Sequence, residues 1–284
     1  MVVPPMRGKV ILLTGATSGI GRQAAVALAP SGATIAVVGR DPARTEALVQ
    51  ELRAVNPQVE GLVADLSSQA EVRRVAEEVL ARYDRLDVLV NNAGALYTTR
   101  AETVDGIERT FALNHLAYFL LTTLLLDRLR ASAPSRVVSV ASDAHRRGKM
   151  RWDDIGMRNY TAQGWGAYGQ SKLANILFTR ELARRLAGTG VTANCLHPGF
   201  VDTGFARNNG PIARLLMMLT RPLQRRAEDA AETVVWAATA AECANRTGQY
   251  FKDCKPAKTS KAAESMEDAA RLWALSEQMV ARSA

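Results

Sequence analysis

Residues 10–21 read VILLTGATSGIG. A short apolar run of β-favouring residues, Val10 to Leu13, stops at Thr14-Gly15, and helical spacing begins at Ile20 and runs to Leu28. Between the two lie Gly15, Gly19 and Gly21. Their spacing is not GxGxxG, but the physics is the same. Glycine lets the backbone turn tightly and approach an anion, and the next helix aims its free amides at that anion. An ordinary strand-to-helix turn can also use glycine, so the rest of the chain decides what this one is for.

Working outward, the same alternation repeats. Apolar strands are expected at Thr34–Val38, Gly61–Ala64, Val88–Val90, Arg136–Val140, Val191–Leu196 and Gly248–Phe251. Helical spacing covers Arg44–Val55, Glu71–Arg82, Ile107–Arg130, Tyr168–Leu186, Ala227–Ala241 and Ala262–Arg282. Strand-helix alternation with nearly continuous apolar strands predicts a parallel sheet covered on both faces. The expected class is α/β: a doubly wound parallel sheet of Rossmann type, three layers α/β/α, in a single domain over 1–284. Residues 199–226 break the rhythm and carry PIARLLMMLTRPLQRR, an apolar segment with arginines at both ends. It is expected to be a substrate-side lid, with a dimer contact or a membrane-touching helix as alternatives. Residues 260–284 are expected to form a C-terminal helical extension.

Composition narrows the function classes. The chain has 284 residues, 48% apolar and 23% charged, with a formal charge of +8. The basic residues are scattered and few aromatics lie among them, so a phosphorylated small ligand is favoured over nucleic acid. Three cysteines, Cys195, Cys243 and Cys254, form no CxxC pair. That count suits reduced thiols in the cytoplasm and gives no metal-ligand spacing. The N-terminus does not read as a signal peptide, and no stretch is apolar enough to span a bilayer, although surface contact with a membrane is compatible with the sequence. A homo-oligomer is equally compatible.

Strand ends refine the ligand. An acidic residue at the end of the second strand would hold the ribose 2′-hydroxyl of NAD. This chain has Arg40 there, and a guanidinium pairs with a 2′-phosphate. The expected cofactor is therefore NADP(H), with Arg22 as a second cation and Asp41 as a neighbour able to neutralise Arg40. Asp65-Leu66 end the third strand and are placed to hold adenine. Asn92, Ala93 and Gly94 end the fourth, where small residues permit close approach. All lie at carboxyl ends of parallel strands, where open α/β sheets bind ligands.

Tyr168 and Lys172 are one helical turn apart and share a face. A phenol titrates near ~10, so it is a weak base at neutral pH unless cations favour the phenolate. An adjacent ammonium and an oxidised nicotinamide would do so, and the phenol would then serve as acid for a carbonyl or base for an alcohol.

Taken together, TGATSGIG, Asp65, NNAG, Asn114, Ser142, Tyr168 with Lys172, and the HPG of residues 197–199 resemble the short-chain dehydrogenase/reductase family over nearly the whole chain. NHLAYFLLT (114–122), ASDAH (141–145), YGQSKLANILFTRELARRL (168–186) and YFKDCK (250–255) are similar to its retinol dehydrogenase-like branch, as a soluble, bacterial-type member. The resemblance implies that Ser142 bonds the substrate oxygen, that Asn114 holds a water in a proton relay, and that Lys172 also binds the nicotinamide ribose. It also implies a cofactor cradle of Gly15, Thr17, Ser18, Gly19, Ile20, Gly21 and Arg22, and a nicotinamide site from Pro198, Gly199, Val201 and Thr203. The implied substrate is an apolar alcohol or carbonyl compound. A non-catalytic NADP(H)-binding redox sensor and a C=C reductase similar to protochlorophyllide reductases are the alternatives. His145 is read as a loop residue near the substrate mouth, His197 as serving a turn, and Cys195 as core.

Overall fold

The computed structural model describes residues 3–158, 164–199 and 226–281. Eight strands form one sheet: β1 (Val10–Thr14), β2 (Thr34–Gly39), β3 (Val59–Val63), β4 (Val88–Asn91), β5 (Ser135–Val140), β6 (Val191–His197), β7 (Tyr250–Lys252) and β8 (Lys255–Pro256). Their order is β3-β2-β1-β4-β5-β6-β7-β8. Every pairing is parallel except β7 with β8. The winding direction reverses between β1 and β4, which places the ligand crevice of an open α/β sheet at the carboxyl ends of those two strands.

Alternate residues of each strand feed two cores. Ile11 and Leu13 face one side, with helices α1 (Gly19–Leu28), α2 (Pro42–Arg53) and α8 (Ala227–Thr239). Leu12, Leu89, Val137 and Cys195 face the other. There they meet α3 (Gln69–Arg82), α5 (Ala117–Leu124), α7 (Trp165–Arg185) and α9 (Met266–Ala281). Burial on both faces is why the strands read as unbroken apolar runs. The three-layer architecture is the one expected.

Three expected elements differ in detail. The long helix over 107–130 is interrupted. One turn, α4 (Arg109–Phe111), leads into a π-helical turn over Ala112–Leu116, then α5, then α6 (Leu126–Ala131) after a break at Leu125. Periodicity alone sees one apolar stripe here, because a single inserted residue leaves the local spacing nearly helical. The closing helix starts later than expected, at Met266. Ser265 is extended, and its hydroxyl accepts from the Asp268 amide at 3.1 Å. The last expected strand also moves, because Gly248 sits at φ +70 in a turn and pairing begins at Tyr250. Among the described residues no helix is long and apolar enough to cross a membrane.

Cys195 is buried in β6, as expected of core. His145 lies in the turn directly after Ser142. It is fully buried, its Nδ1 donates to the Ser142 carbonyl at 2.7 Å, and its Nε2 accepts from the Ser260 amide at 3.1 Å. The ring ties the loop after β5 to the chain leading into α9. Burial lowers its pKa, in keeping with a neutral, bonded imidazole.

Candidate active site

The glycine turn is held by side chains whose role the sequence does not signal. Thr14 donates its hydroxyl to the Val90 carbonyl at 3.2 Å and accepts from the amides of Asn92 and Ala93 at 2.9 and 3.1 Å. Asn92, expected to face the cofactor, instead donates its amide to the carbonyls of Thr14 and Gly15 at 2.8 and 3.2 Å. Two β-carbons would be intolerable here. One on Gly15 would lie 2.6 Å from the Ala93 Cα, and one on Gly21 would lie 2.2 Å from the Gly15 carbonyl oxygen. Ser18 precedes α1 with no side-chain cap bond, and the first turn of α1 carries no acidic residue. The amides at the helix start are thus left to an anion rather than to a carboxylate of the chain.

Beyond the turn, Thr17 packs against Gly39, whose β-carbon would lie 2.3 Å from the Thr17 methyl. Arg40 comes next, at the exposed end of β2. Among the described residues Asp41 pairs with Arg44 rather than with Arg40. Its carboxylate accepts from the Arg44 amide at 3.0 Å as the cap of α2. Arg22 is engaged elsewhere, in a forked pair with Glu51 at 2.6 and 2.7 Å. Asp65 folds back on Ser67, accepting from its amide and hydroxyl at 3.0 and 2.8 Å. Tyr97, unremarkable in the sequence, lies beneath the Arg109 guanidinium at 3.6 Å and shares a hydrogen bond with Arg40.

The second cluster sits where β5 meets α7. Ser142 lies just past β5 and caps the short turn Asp143–Arg146, accepting from the Ala144 amide at 3.2 Å. It also hydrogen-bonds the buried hydroxyl of Tyr168. Burial pushes the Tyr168 phenol up to about 12, opposed by the bond with Ser142. Lys172 lies one turn on, its Nζ 5.6 Å from the Tyr168 ring and 2.8 Å from the Val140 carbonyl oxygen. Burial pulls its pKa down to about 7. The expected lowering of the phenol by the lysine is therefore not a property of the protein groups alone, since burial dominates both.

Asn114 is brought to the same place by the π turn. Its side-chain amide donates to the Ala95 carbonyl and the Ser171 hydroxyl at 2.9 and 3.0 Å, and its oxygen accepts from the Ala95 amide at 2.9 Å. Both amide hydrogens are used by these bonds, and the side chain locks the loop after β4 to α7. Gly94 adjoins it, and a β-carbon there would lie 3.1 Å from Asn114 Oδ1 and 3.5 Å from Lys172 Nζ. Asp143 anchors the outer side of the loop. Burial alone would raise its carboxyl, but Lys252, His197 and Tyr250 outweigh burial and hold it down to about 2. Pro198 and Gly199 come directly after β6, with Gly199 at φ +99. Val201, Thr203 and nearly all of the expected lid lie outside the described residues.

A tight glycine turn opening a helix, a strand-end cation and Ser142 beside buried Tyr168 and Lys172 thus lie at the carboxyl ends of the parallel strands. The short chain dehydrogenase family model matches residues 9–212. Retinol dehydrogenase 12 of Mus musculus is 44% identical over 272 residues, covering 95% of this chain and 85% of that protein. The chain belongs to the short-chain dehydrogenase family. Within it, the similarity is to the retinol dehydrogenase branch, and the protein is an oxidoreductase acting on CH–OH donors. A solved structure of an uncharacterized Mycobacterium paratuberculosis protein superposes with a TM-score of 0.80 at 36% identity, covering 98% of this chain and 95% of that one. The Pseudomonas aeruginosa RhlG/NADP complex gives 0.71 at 30% identity, covering 88% of this chain and 96% of the other.

Proposed function

We propose that this dehydrogenase uses NADP(H) to interconvert a carbonyl and an alcohol on an apolar small molecule, with Tyr168 as the acid/base. The observation that carries the reading is the buried Tyr168 hydroxyl, hydrogen-bonded to Ser142 with Lys172 one turn away. The choice of NADP(H) rests on Arg40, exposed at the end of β2 while the neighbouring carboxylate of Asp41 is engaged in capping α2. A solved relative bound to NADP supports it. The apolar substrate rests on a relative named as a retinol dehydrogenase.

The residues present fit the cofactor. The glycine turn and the open amides of α1 would hold the pyrophosphate, Arg40 the 2′-phosphate, and Lys172 the nicotinamide ribose. When bound, NADPH supplies hydride to a carbonyl carbon, and NADP takes it from a carbinol carbon. The chain's own part is the proton. With a pKa of about 12, the Tyr168 phenol is protonated at neutral pH and donates to the substrate oxygen. Ser142 donates a second hydrogen bond to the same oxygen and stabilises its developing charge. An alkoxide is a stronger base than a phenolate, so the proton passes from Tyr168 Oη to the substrate oxygen downhill. The phenolate left behind is held by the Lys172 ammonium, which also favours it in the reverse reaction.

Replacing Tyr168 by Phe tests the assignment. Turnover of NADPH with aldehydes and ketones is expected to fall by at least ~100-fold, while NADPH still binds. Retention of full activity would remove Tyr168 from the acid/base role.

A further inference from the structure

Tyr97 is a buried tyrosine that the proton chemistry does not use. It lies in the loop after β4 and is only 4% exposed. The loop that carries it is anchored on both sides. Ala95, just before it, is bonded through both its amide and its carbonyl to the Asn114 side chain, at 2.9 Å each. Farther on, the Ala101 carbonyl accepts from the Arg109 amide at the start of α4, also at 2.9 Å.

Two cations meet on this one ring. The Arg109 guanidinium sits over its face, 3.6 Å from the ring centroid. Arg40 reaches the hydroxyl from the end of β2. A guanidinium carries only donors, so the Tyr97 oxygen is the acceptor of that bond. Burial raises the phenol, and the two arginines oppose the rise.

Among the described residues neither guanidinium forms an ion pair, because the acidic groups around them are engaged elsewhere. Asp41 caps α2, and Asp65 accepts from the Ser67 amide and hydroxyl. Glu102 pairs with Arg100, and Glu108 accepts from the amides of Thr110 and Phe111. Arg109 Nε is buried and has no hydrogen-bond partner among the described residues. Two guanidiniums brought to one ring repel each other, and an anion that touches both offsets the repulsion. The end of β2 is where the proposed cofactor carries its 2′-phosphate. An exposed arginine on a long stem loses rotamer freedom when it grips a phosphate. One already held by a buried acceptor loses less, and the phosphate is bound more tightly.

We propose that Tyr97 is a positioning residue for the 2′-phosphate, holding Arg40 by its hydroxyl and Arg109 by its ring so that both cations serve one anionic group. The inference rests on the NADP(H) reading and adds two residues to it.

Adenosine 2′,5′-bisphosphate and AMP carry the test without turnover, since they differ only in the 2′-phosphate. Calorimetric titration of the full chain is expected to show the bisphosphate bound at least about 10-fold more tightly than AMP. Equal binding would remove the NADP(H) reading, and the role of Tyr97 with it. Tyr97→Phe keeps the ring beneath Arg109 and removes the hydroxyl that Arg40 uses. It is expected to cut the preference for the bisphosphate by about 3- to 10-fold. Arg109→Gln removes the second charge and is expected to cut it by about the same factor. In turnover the loss should fall on KM for NADPH rather than on kcat, with NADH affected much less. A merely structural role would instead weaken AMP and the bisphosphate together, and that result overturns the inference. An undiminished preference in Tyr97→Phe overturns it as well, and an increased one would mean that the phenol competes with the phosphate for Arg40. An undiminished preference in Arg109→Gln would overturn the two-cation site.

Discussion

Replacing Gly21 by Ala tests the cofactor cradle at its tightest point. The new β-carbon would meet the Gly15 carbonyl oxygen at 2.2 Å and the Asn92 side-chain nitrogen at 2.4 Å. Ordinary contact begins near 3.4 Å, so roughly 1 Å of movement is required. Neither neighbour is a free side-chain end. The Gly15 oxygen is backbone in a turn at φ +67, and Asn92 is bonded to Thr14 and Gly15. Relief must therefore open the turn itself. Overpacking of this kind costs about 3 kcal/mol, equivalent to about 100-fold in an equilibrium constant. Because the displaced atoms form the cradle, most of the loss is expected in the affinity for NADPH, read by titrating the fluorescence of the bound nicotinamide. Gly188→Ala is the control. It too has positive φ, at +78, but nothing lies within 4 Å of its β-carbon. It should cost about 1 kcal/mol of stability and leave NADPH affinity unchanged. If Gly21→Ala bound NADPH as tightly as the wild type, the turn would not be the pyrophosphate site.

Arg40→Ala is expected to weaken NADPH by about 10- to 100-fold and NADH hardly at all, a loss of one or two charge-assisted bonds; equal effects on both cofactors would remove the phosphate assignment. Asp143 has a folded pKa of about 2, below the ordinary carboxyl value of 3.8, so its contribution is complete above about pH 5 and is lost as pH falls through 2. With solvent screening of a partly exposed group this amounts to about 1 kcal/mol, and urea unfolding of Asp143→Asn between pH 5 and pH 2 should lack this component of acid sensitivity. Trp273 stacks on Phe178 at 5.9 Å and meets Phe119 at 4.9 Å. Trp273→Ala is expected to lose about 3–5 kcal/mol, seen as a lower urea midpoint, and an unshifted midpoint would mean that α9 contributes little to the fold.

Strands and layers are legible because burial on both faces writes itself as apolar runs, and because glycines mark the points where backbones touch. The Tyr168–Lys172 pair is legible through helical spacing, and Ser142 through the family resemblance. Other features depend on contacts that spacing does not carry. Thr14 looks like any strand-end threonine until β4 is laid beside β1. Asn92 looks like a ligand residue, yet its amide points at the turn it supports. The hairpin joining β7 to β8 turns through Asp253 and Cys254 at φ +54 and +55, with no glycine to announce it. The pairing of Arg22 is not legible either: Glu51 is remote in sequence and becomes a neighbour only when α1 and α2 pack.

The π turn over Ala112–Leu116 constrains how this chain can change length. An α-helix advances about 100° per residue. A π turn closes i→i+5 and advances less per residue, so it holds one residue more without changing the phase between the segment before it and the helix after it. Upstream, Glu108 accepts from the amides of Thr110 and Phe111. Downstream, Tyr118, Phe119 and Thr122 face the sheet and α7. Deleting one residue between 112 and 116 would let the segment relax into regular helix while those side chains keep their partners. A one-residue deletion within a regular helix such as α7 has no such slack and would turn everything downstream by about a quarter turn.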